Sequence, residues 1–420
     1  MTSAASWKKN IALFLIGQTV SIFGSSLVQY AIMWYITMNT QSGVMMTIAI
    51  ICGFLPTFFL SPFAGVWADR FNRKALIMLS DSLIAVSTLI LAILFMSGFG
   101  AIWLLFAASA IRALGAGVQM PAVNAMIPQL VPADQLTRVN GIYTGIQSLV
   151  MLVSPMLSGA LMTFATIETI FLIDVITAAV GIVILLLFVK VPPHEKAQGK
   201  QQVSYFSDLR DGLKYISGQA YIKTFFVFMA IFMVAAAPVA FLTPLQVTRS
   251  FGNDVWRLTA IEVTFAIGMM AGGGLMAAWG GFKNRVHTMA LSSLLVGVCT
   301  VALGIIPIFW LYLVVMGLAG LIMPMFNTPA TVLLQEKVQE NYLGRVFGVM
   351  GMISSSMMPL GMLLFGPIAD LIQIEWLLIG TGILIVVKGF FMLGNKVLVQ
   401  AGIPKASADG PLLEERYSEN

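Results

Sequence analysis

Long uncharged runs alternate with short polar breaks along nearly the whole chain. Gly43 to Ala68 carries no charged side chain, and Ala75 to Gly100 carries only Asp81. Between them lies Gly65-Val-Trp-Ala-Asp69-Arg70-Phe-Asn-Arg73-Lys74, which sets four charges within six residues. Each run is long enough, at ~1.5 Å per residue, to cross a hydrocarbon layer of about 30 Å, so the break between them belongs at a membrane surface. Dividing the chain at its polar and Gly/Pro breaks predicts twelve helices. Six lie near 10-38, 43-68, 75-97, 100-122, 137-163 and 167-189, and six near 219-247, 256-279, 286-306, 309-333, 342-371 and 375-399. The expected organisation is a six-helix unit over 1-189, a cytoplasmic linker over 190-218, a second six-helix unit over 219-399 and a polar tail over 400-420. Leu209, Leu213 and Ile216 fall at near-helical spacing inside the linker, which predicts an amphipathic helix lying on the membrane surface.

Composition turns that pattern into a class. Of 420 residues, 59% are hydrophobic and 10% charged, against about 25% charged in soluble domains. The apolar runs are continuous and do not alternate with period two, which excludes membrane-spanning strands. The chain therefore reads as an all-α integral membrane protein. Placing both termini and the even-to-odd loops on one side puts nineteen of the 23 Lys and Arg there and leaves only Arg249 and Arg257 opposite. Both termini are thus expected in the cytoplasm, and the net charge of +5 reflects basic loops and not nucleic-acid binding. The run from Ile11 is too long for a cleavable signal and reads as the first permanent helix. Cys52 and Cys299 lie inside apolar runs and read as buried thiols, not as a disulfide. His194 and His287 stand in separate polar segments, and there is neither a metal-ligand cluster nor a phosphate-binding Gly-rich loop. No cofactor, no metal and no enzymatic activity are expected.

The two halves resemble each other. Leu136-Thr-Arg138-Val139-Asn-Gly141 recurs 207 residues later as Leu343-Gly-Arg345-Val346-Phe-Gly348. Gln119-Met-Pro121-Ala122 pairs with Asn327-Thr-Pro329-Ala330, and Trp67, Asn72 and Arg73 match Trp279, Asn284 and Arg285. Three matches in one order at nearly one offset point to a duplicated six-helix unit.

Ionisable residues inside the membrane are costly, so each is a functional candidate, with structural pairing as the competing reading. Arg112 lies halfway along the fourth helix, too deep to reach either surface, and is the strongest candidate; the competing reading is a structural arginine that bonds the carbonyls of neighbouring helices. Glu262 lies two turns into the eighth helix, where a carboxylate partly removed from water would bind and release a proton near neutral pH; the alternative is a side chain reaching the outer interface. Asp174, in the sixth helix, has to turn inward or find a partner. Asp81 and Lys388 are read as structural, Asp81 as an anchor for the Arg73-Lys74 turn. Glu168 stands at a helix start, where an acidic side chain complements the helix dipole. Gln18, Ser21, Ser25 and Gln29 on the first helix, with Phe226, Met229, Met233 and Phe326, are candidates to line a cavity for lipophilic ligands, although Met and Phe also fill apolar packing.

Gly65-x-x-x-Asp69-Arg70-x-x-Arg73-Lys74 resembles the loop between helices 2 and 3 of the major facilitator superfamily. Arg112-Ala-Leu-Gly115-Ala-Gly117 resembles the helix 4 motif of its proton-coupled members, one residue shorter in spacing. Ser154-Pro155-Met-Leu-Ser158-Gly159 stands where the antiporters carry Gly-Pro-x-x-Gly-Gly, with serine in place of two glycines. Together with Gly53-Phe-Leu-Pro56, Ile-Asp174-Val, Gln335-Glu-Lys and Tyr342-Leu-Gly-Arg345-Val-Phe, the whole chain is similar to the macrolide-efflux branch of the drug-proton antiporters. The resemblance implies two pseudo-symmetric six-helix bundles in a bacterial plasma membrane, working as a monomer. It implies export of a hydrophobic small molecule in exchange for protons; a siderophore or other metabolite exporter is the alternative. It implicates Arg112 in proton movement, beside Glu262 and Asp174, which their depth in the membrane makes the proton-coupling candidates, and gating is expected of Gly65, Asp69, Arg70, Arg73 and Arg345. Asp69 is expected to accept from free N-H groups at the start of the eleventh helix when the cytoplasmic end is closed. The equivalent turn in the second half, Gly280-Gly281-Phe282, lacks the Asp-Arg pair, so that latch is expected to be one-sided.

Overall fold

Helix ends follow local chemistry. Ser42 caps α2 (Gly43–Arg70) by accepting from the Met45 N-H, Asn72 caps α3 (Arg73–Met96) by accepting from the Ala75 N-H, and Asn284 caps α11 (Arg285–Ile305) by accepting from the Val286 N-H. Asn72 and Asn284 are the matched pair of the sequence repeat, so the repeat preserves a capping device. The structure, a computed structural model, describes residues 4–191 and 205–403, without the side chains of 4–6, 61, 62, 69, 205–209, 340 and 341. The other helices are α1 (Ala4–Thr40), α4 (Ile102–Leu130), α5 (Leu136–Phe164), α6 (Ile167–Phe188), α7 (Tyr205–Gly218), α8 (Ala220–Phe241), α9 (Thr243–Ser250), α10 (Val255–Trp279), α12 (Phe309–Lys337), α13 (Glu340–Leu371), α14 (Ile374–Gly394) and α15 (Lys396–Ala401). Twelve spans among the described residues are long and apolar enough to cross a membrane, and no strand occurs among them.

α4 runs past its expected end at 122, through Pro128 to Leu130, and α12, expected through Pro324 and Pro329 to 333, runs on to Lys337. Neighbouring helices accommodate the backbone groups that a proline frees, so proline does not end a packed membrane helix. The seventh expected helix instead breaks at Leu242 into α8 and α9.

The two halves repeat one packing scheme. In the first, α1 packs on α5 and α6, α2 on α4, and α3 between α4 and α6. In the second, α8 packs on α13 and α14, α10 on α12, and α11 between α12 and α14. The fold is thus two six-helix bundles with equivalent pairings. They meet through α5 against α10 and α2 against α13, again an equivalent pair.

The linker helix α7 docks on the second bundle. Ile216 is buried in its core, Tyr215 stacks on Tyr342 with ring centroids 4.2 Å apart, and Gly212 lies against the Arg345 side chain. Leu213 stays exposed on the other face; Leu209, the rest of the linker over 192–204 and the tail over 404–420 lie outside the described residues. Cys52 and Cys299 are half-buried free thiols, less enclosed than expected.

Candidate functional site

The bundles close on each other at one end. Thr47 donates its hydroxyl to the Met362 carbonyl at 3.2 Å, and a Cβ at Gly43 or Gly366 would collide with the opposing helix. A Cβ at Gly159 of α5 would likewise collide with Thr259 of α10. Trp34, Met46 and Ile50 of the first bundle join Leu245, Leu258, Ile261 and Met362 of the second in one apolar cluster. Around its rim, Asp370 in the last turn of α13 accepts from the Gly43 N-H at 2.7 Å, the Val44 N-H at 3.0 Å and the Ser42 hydroxyl at 2.7 Å. Arg249 of α9 pairs with Asp370 at 2.8 Å and donates to the carbonyls of Gln41 and Ala369. A carboxylate at the C-terminal end of its own helix is poorly placed against that helix's dipole, and the electropositive start of α2 offsets this. Together Gln246, Arg249, Ser250, Asp370 and Glu375 line a cavity of about 520 Å³ beside the seal.

The opposite end stands open. A Cβ at Gly65 of α2, at Gly141 or Gly145 of α5, at Gly273 or Gly274 of α10, or at Gly344 or Gly348 of α13 would meet no heavy atom within 4 Å. The expected latch at that end is therefore not engaged by these helix backbones, and the side chain of Asp69 lies outside the described residues. Arg70 is exposed, Arg73 donates to the carbonyls of Ala68 and Ala125, and Arg345 lies over the Tyr342 ring at 5.6 Å.

Glu262 sits one helical turn below the Gly159–Thr259 crossing, half-buried at the junction of the bundles and beside Tyr30 of α1. It makes no hydrogen bond or ion pair among the described residues, so a carboxylate is available on the side of the seal that faces the open end.

Arg112 and Asp174 lie elsewhere, in the core of the first bundle, and the structure joins them. Arg112 Nη1 pairs with Asp174 Oδ2 and also donates to the Thr88 hydroxyl, while Nη2 donates to the Ser25 carbonyl at 3.1 Å. Asp174 accepts from Thr88 at 2.9 Å and from Ser25 at 3.2 Å. The structural reading of Arg112 holds: it bonds a neighbouring helix carbonyl and is paired within the bundle core.

Asp81 corrects the expectation that it anchors the Arg73-Lys74 turn. It faces inward, where Oδ1 accepts from Ser21 at 2.9 Å and from Gln119 at 2.5 Å, while Lys74 donates to the carbonyls of Leu186 and Val189. Ser21 and Ser25 therefore serve the two carboxylates and are not free for a ligand, Gln18 is buried beside Asp81, and Gln29 is exposed apart from them. Polar groups within hydrocarbon require partners, and these side chains find them inside the bundle.

The apolar candidates are also relocated. Phe226, Met229, Met233 and Phe326 are buried in the core of the second bundle. Phe326 stacks on Phe232, and the two rings flank the ammonium of Lys388 at 4.6 and 4.7 Å while Ser293 accepts from it at 2.8 Å. That environment accounts for a buried lysine with no carboxylate partner in the sequence.

The seal residues Asp370 and Arg249 escaped the sequence reading. The available signal was an acidic side chain in the last turn of one helix, facing a Ser-Gly start in another.

The family model described as Major Facilitator Superfamily matches residues 14–362. Macrolide efflux protein A of Streptococcus pyogenes is 29% identical over 382 residues, covering 90% of this chain and 94% of its own. The Enterococcus faecalis protein of the same name is 28% identical over 312 residues, covering 74% and 96%. Multidrug efflux pump Tap of Mycobacterium tuberculosis (strain ATCC 25618 / H37Rv) is 23% identical over 417 residues, covering 95% and 97%. Among solved structures, a bacterial homologue of the human lysosomal transporter Spinster, inward-facing and unoccupied, aligns with a TM-score of 0.71 at 14% identity, covering 96% of this chain and 100% of that one.

Proposed function

The chain belongs to the major facilitator superfamily, and from that premise we propose that it exports lipophilic small molecules, macrolides among them, in exchange for protons by alternating access. The observation that carries the reading is the one-ended closure: two equivalent bundles sealed through α2–α13 and α5–α10 at one end and apart at the other. With both termini in the cytoplasm, as the distribution of basic residues favours, the sealed end faces outward and this is the inward-open state. Substrate would enter from the cytoplasm or the inner leaflet and meet the junction at the base of the seal. The similarity to two macrolide efflux proteins and a multidrug pump supports the substrate class.

Glu262 suits the exchange step by its position. A carboxylate facing the open end can take a proton when access is on one side and give it up when access reverses, while a cationic or bulky lipophilic substrate competes for the same space. Arg112 and Asp174 form a fixed neutral pair behind that surface and hold α1, α3, α4 and α6 in register. The protein acts as a monomer in a bacterial plasma membrane, since each half supplies one side of the pathway.

The test is uptake of a labelled macrolide and of a lipophilic dye into inverted vesicles, with and without a proton gradient. Accumulation that collapses with the gradient is the expected result. Accumulation indifferent to the gradient would remove proton coupling, and transport of a ferric siderophore with neither probe moving would replace the substrate class.

A further inference from the structure

Gln18 of α1, Asp81 of α3, Ser21 and Gln119 form a polar seam next to the Arg112–Asp174 pair. Asp81 and Gln18 are each 1% exposed. Two of their oxygens, Asp81 Oδ2 and Gln18 Oε1, have no hydrogen-bond donor among the described residues, although the Gln18 amide lies against the Asp81 carboxyl. An ionised carboxylate and an amide oxygen are both acceptors only. A buried acceptor left without a hydrogen costs free energy, and a proton on Asp81 Oδ2 gives that oxygen a hydrogen to donate to the neighbouring Gln18 side chain once its amide oxygen is turned toward the acid.

Charge leads to the same place. The charged group facing Asp81 is Asp174 from α6, whose own partner is Arg112 of α4; α4 presents the neutral Gln119 and α1 the neutral Gln18 and Ser21, and on α3 itself Arg73 and Lys74 stand about two turns away with carbonyl partners of their own. Arg112 is committed to Asp174. The seam therefore holds two carboxylates and one cation, and a lone charge within hydrocarbon is avoided by neutralisation when no counter-ion is supplied.

We propose that Asp81 is a second proton-binding carboxyl of the transporter, protonated on Oδ2 and donating that hydrogen to Gln18 Oε1 while the inner end is open. Its role in exchange rests on the antiport reading above; its protonation does not. Release breaks the Oδ2–H bond, leaves the carboxylate to Ser21 and Gln119, and passes the proton to water.

Infrared difference spectroscopy of the purified full-length protein in H₂O and D₂O tests the protonation. The wild type should show a carboxylic C=O band that is lost in Asp81→Asn and shifted in Gln18→Leu, where the acid loses its acceptor. A band unchanged in Asp81→Asn would overturn the proposal. So would absence of the band in the wild type, the result expected if the Gln18 amide were turned to donate to an ionised Asp81. Asp81→Asn reproduces the shape and hydrogen bonding of the protonated acid, so it should fold and retain counterflow of unlabelled for labelled dye in proteoliposomes, with uphill accumulation reduced at least tenfold. Full uphill accumulation in that variant would remove Asp81 from coupling. A wild type that shows the band but no gradient-driven transport would defeat the antiport reading and leave the Asp81 proton standing.

Discussion

Arg112 and Asp174 are worth little apart and much together. Removing one partner of a buried ion pair leaves an uncompensated charge and costs about 3–5 kcal/mol. Arg112→Ala should therefore lower the unfolding temperature in detergent more than the double variant Arg112→Ala with Asp174→Asn, and Arg112→Lys should fall between wild type and Ala because it keeps charge but loses the fork that reaches both Thr88 and the Ser25 carbonyl. Equal unfolding temperatures for Arg112→Ala and the double variant would mean that the pair is not coupled. Glu262, which has no such partner, should behave differently: Glu262→Gln preserves size and hydrogen bonding but cannot titrate, so counterflow persists and gradient-driven accumulation is lost. Normal accumulation in the variant would remove Glu262 from the mechanism. The cost of burying ions made these three residues visible in the sequence. Their grouping was not visible, because it depends on how α1, α3, α4 and α6 are rotated about their axes. The same ambiguity hid the fates of Phe226, Met229, Met233 and Phe326, since Met and Phe in a membrane helix look alike whether they meet lipid, ligand or core.

A helix in this protein earns its place through the difference between its two sides. On α3, Ile77, Asp81, Ile84, Thr88 and Leu91 are buried, while Leu79, Leu83, Val86, Ile90 and Ile93 are exposed, so one helix carries both the polar seam and an apolar outer face. On the alternating-access reading the helices at the junction separate as well as pack, and small residues set how closely they approach. Gly159 of α5 shows this directly, because any side chain there enters Thr259 of α10. Overpacking of this kind costs about 1–3 kcal/mol, which acts only on the sealed state; Gly159→Val should therefore shift the equilibrium toward an outer-open state by about fivefold or more. Spin labels on the outer ends of α5 and α10 would report a longer distance, and an unchanged distribution would show that the crossing tolerates the bulk. The sequence located this motif through Ser154-Pro155 and Gly159. It ended the fourth helix at 122, whereas α4 runs on through Pro128 to Leu130, because neighbouring helices surround the backbone that proline frees.

The duplicated sequence matches, the repeated helix pairings and the two equivalent junctions describe one design, a pair of like bundles joined through equivalent helix pairs. What differs between the ends decides which side is open. At the sealed end, Asp370 of α13 accepts from the start of α2, an arrangement the sequence could not disclose because it spans 327 residues and two helix ends. At the inner end, the sequence places Asp69 at the end of α2 and the start of α13 on one membrane face. The same two helices thus offer a carboxylate to a helix start at each end, with donor and acceptor helices exchanged. On the alternating-access reading proposed above, only one contact forms at a time, because closing one end opens the other. A carboxylate at a helix start contributes about 0.3–1 kcal/mol, so losing it shifts a two-state population by roughly two- to fivefold. Asp370→Asn should therefore favour the inner-closed state and Asp69→Asn the inner-open state, with the double variant returning near the wild-type distribution. Spin-label distances between the inner ends of α2 and α13, measured at one pH, separate these outcomes. Shifts in the same direction for both single variants would show that the two carboxylates stabilise the fold alike and do not oppose each other across the transport cycle.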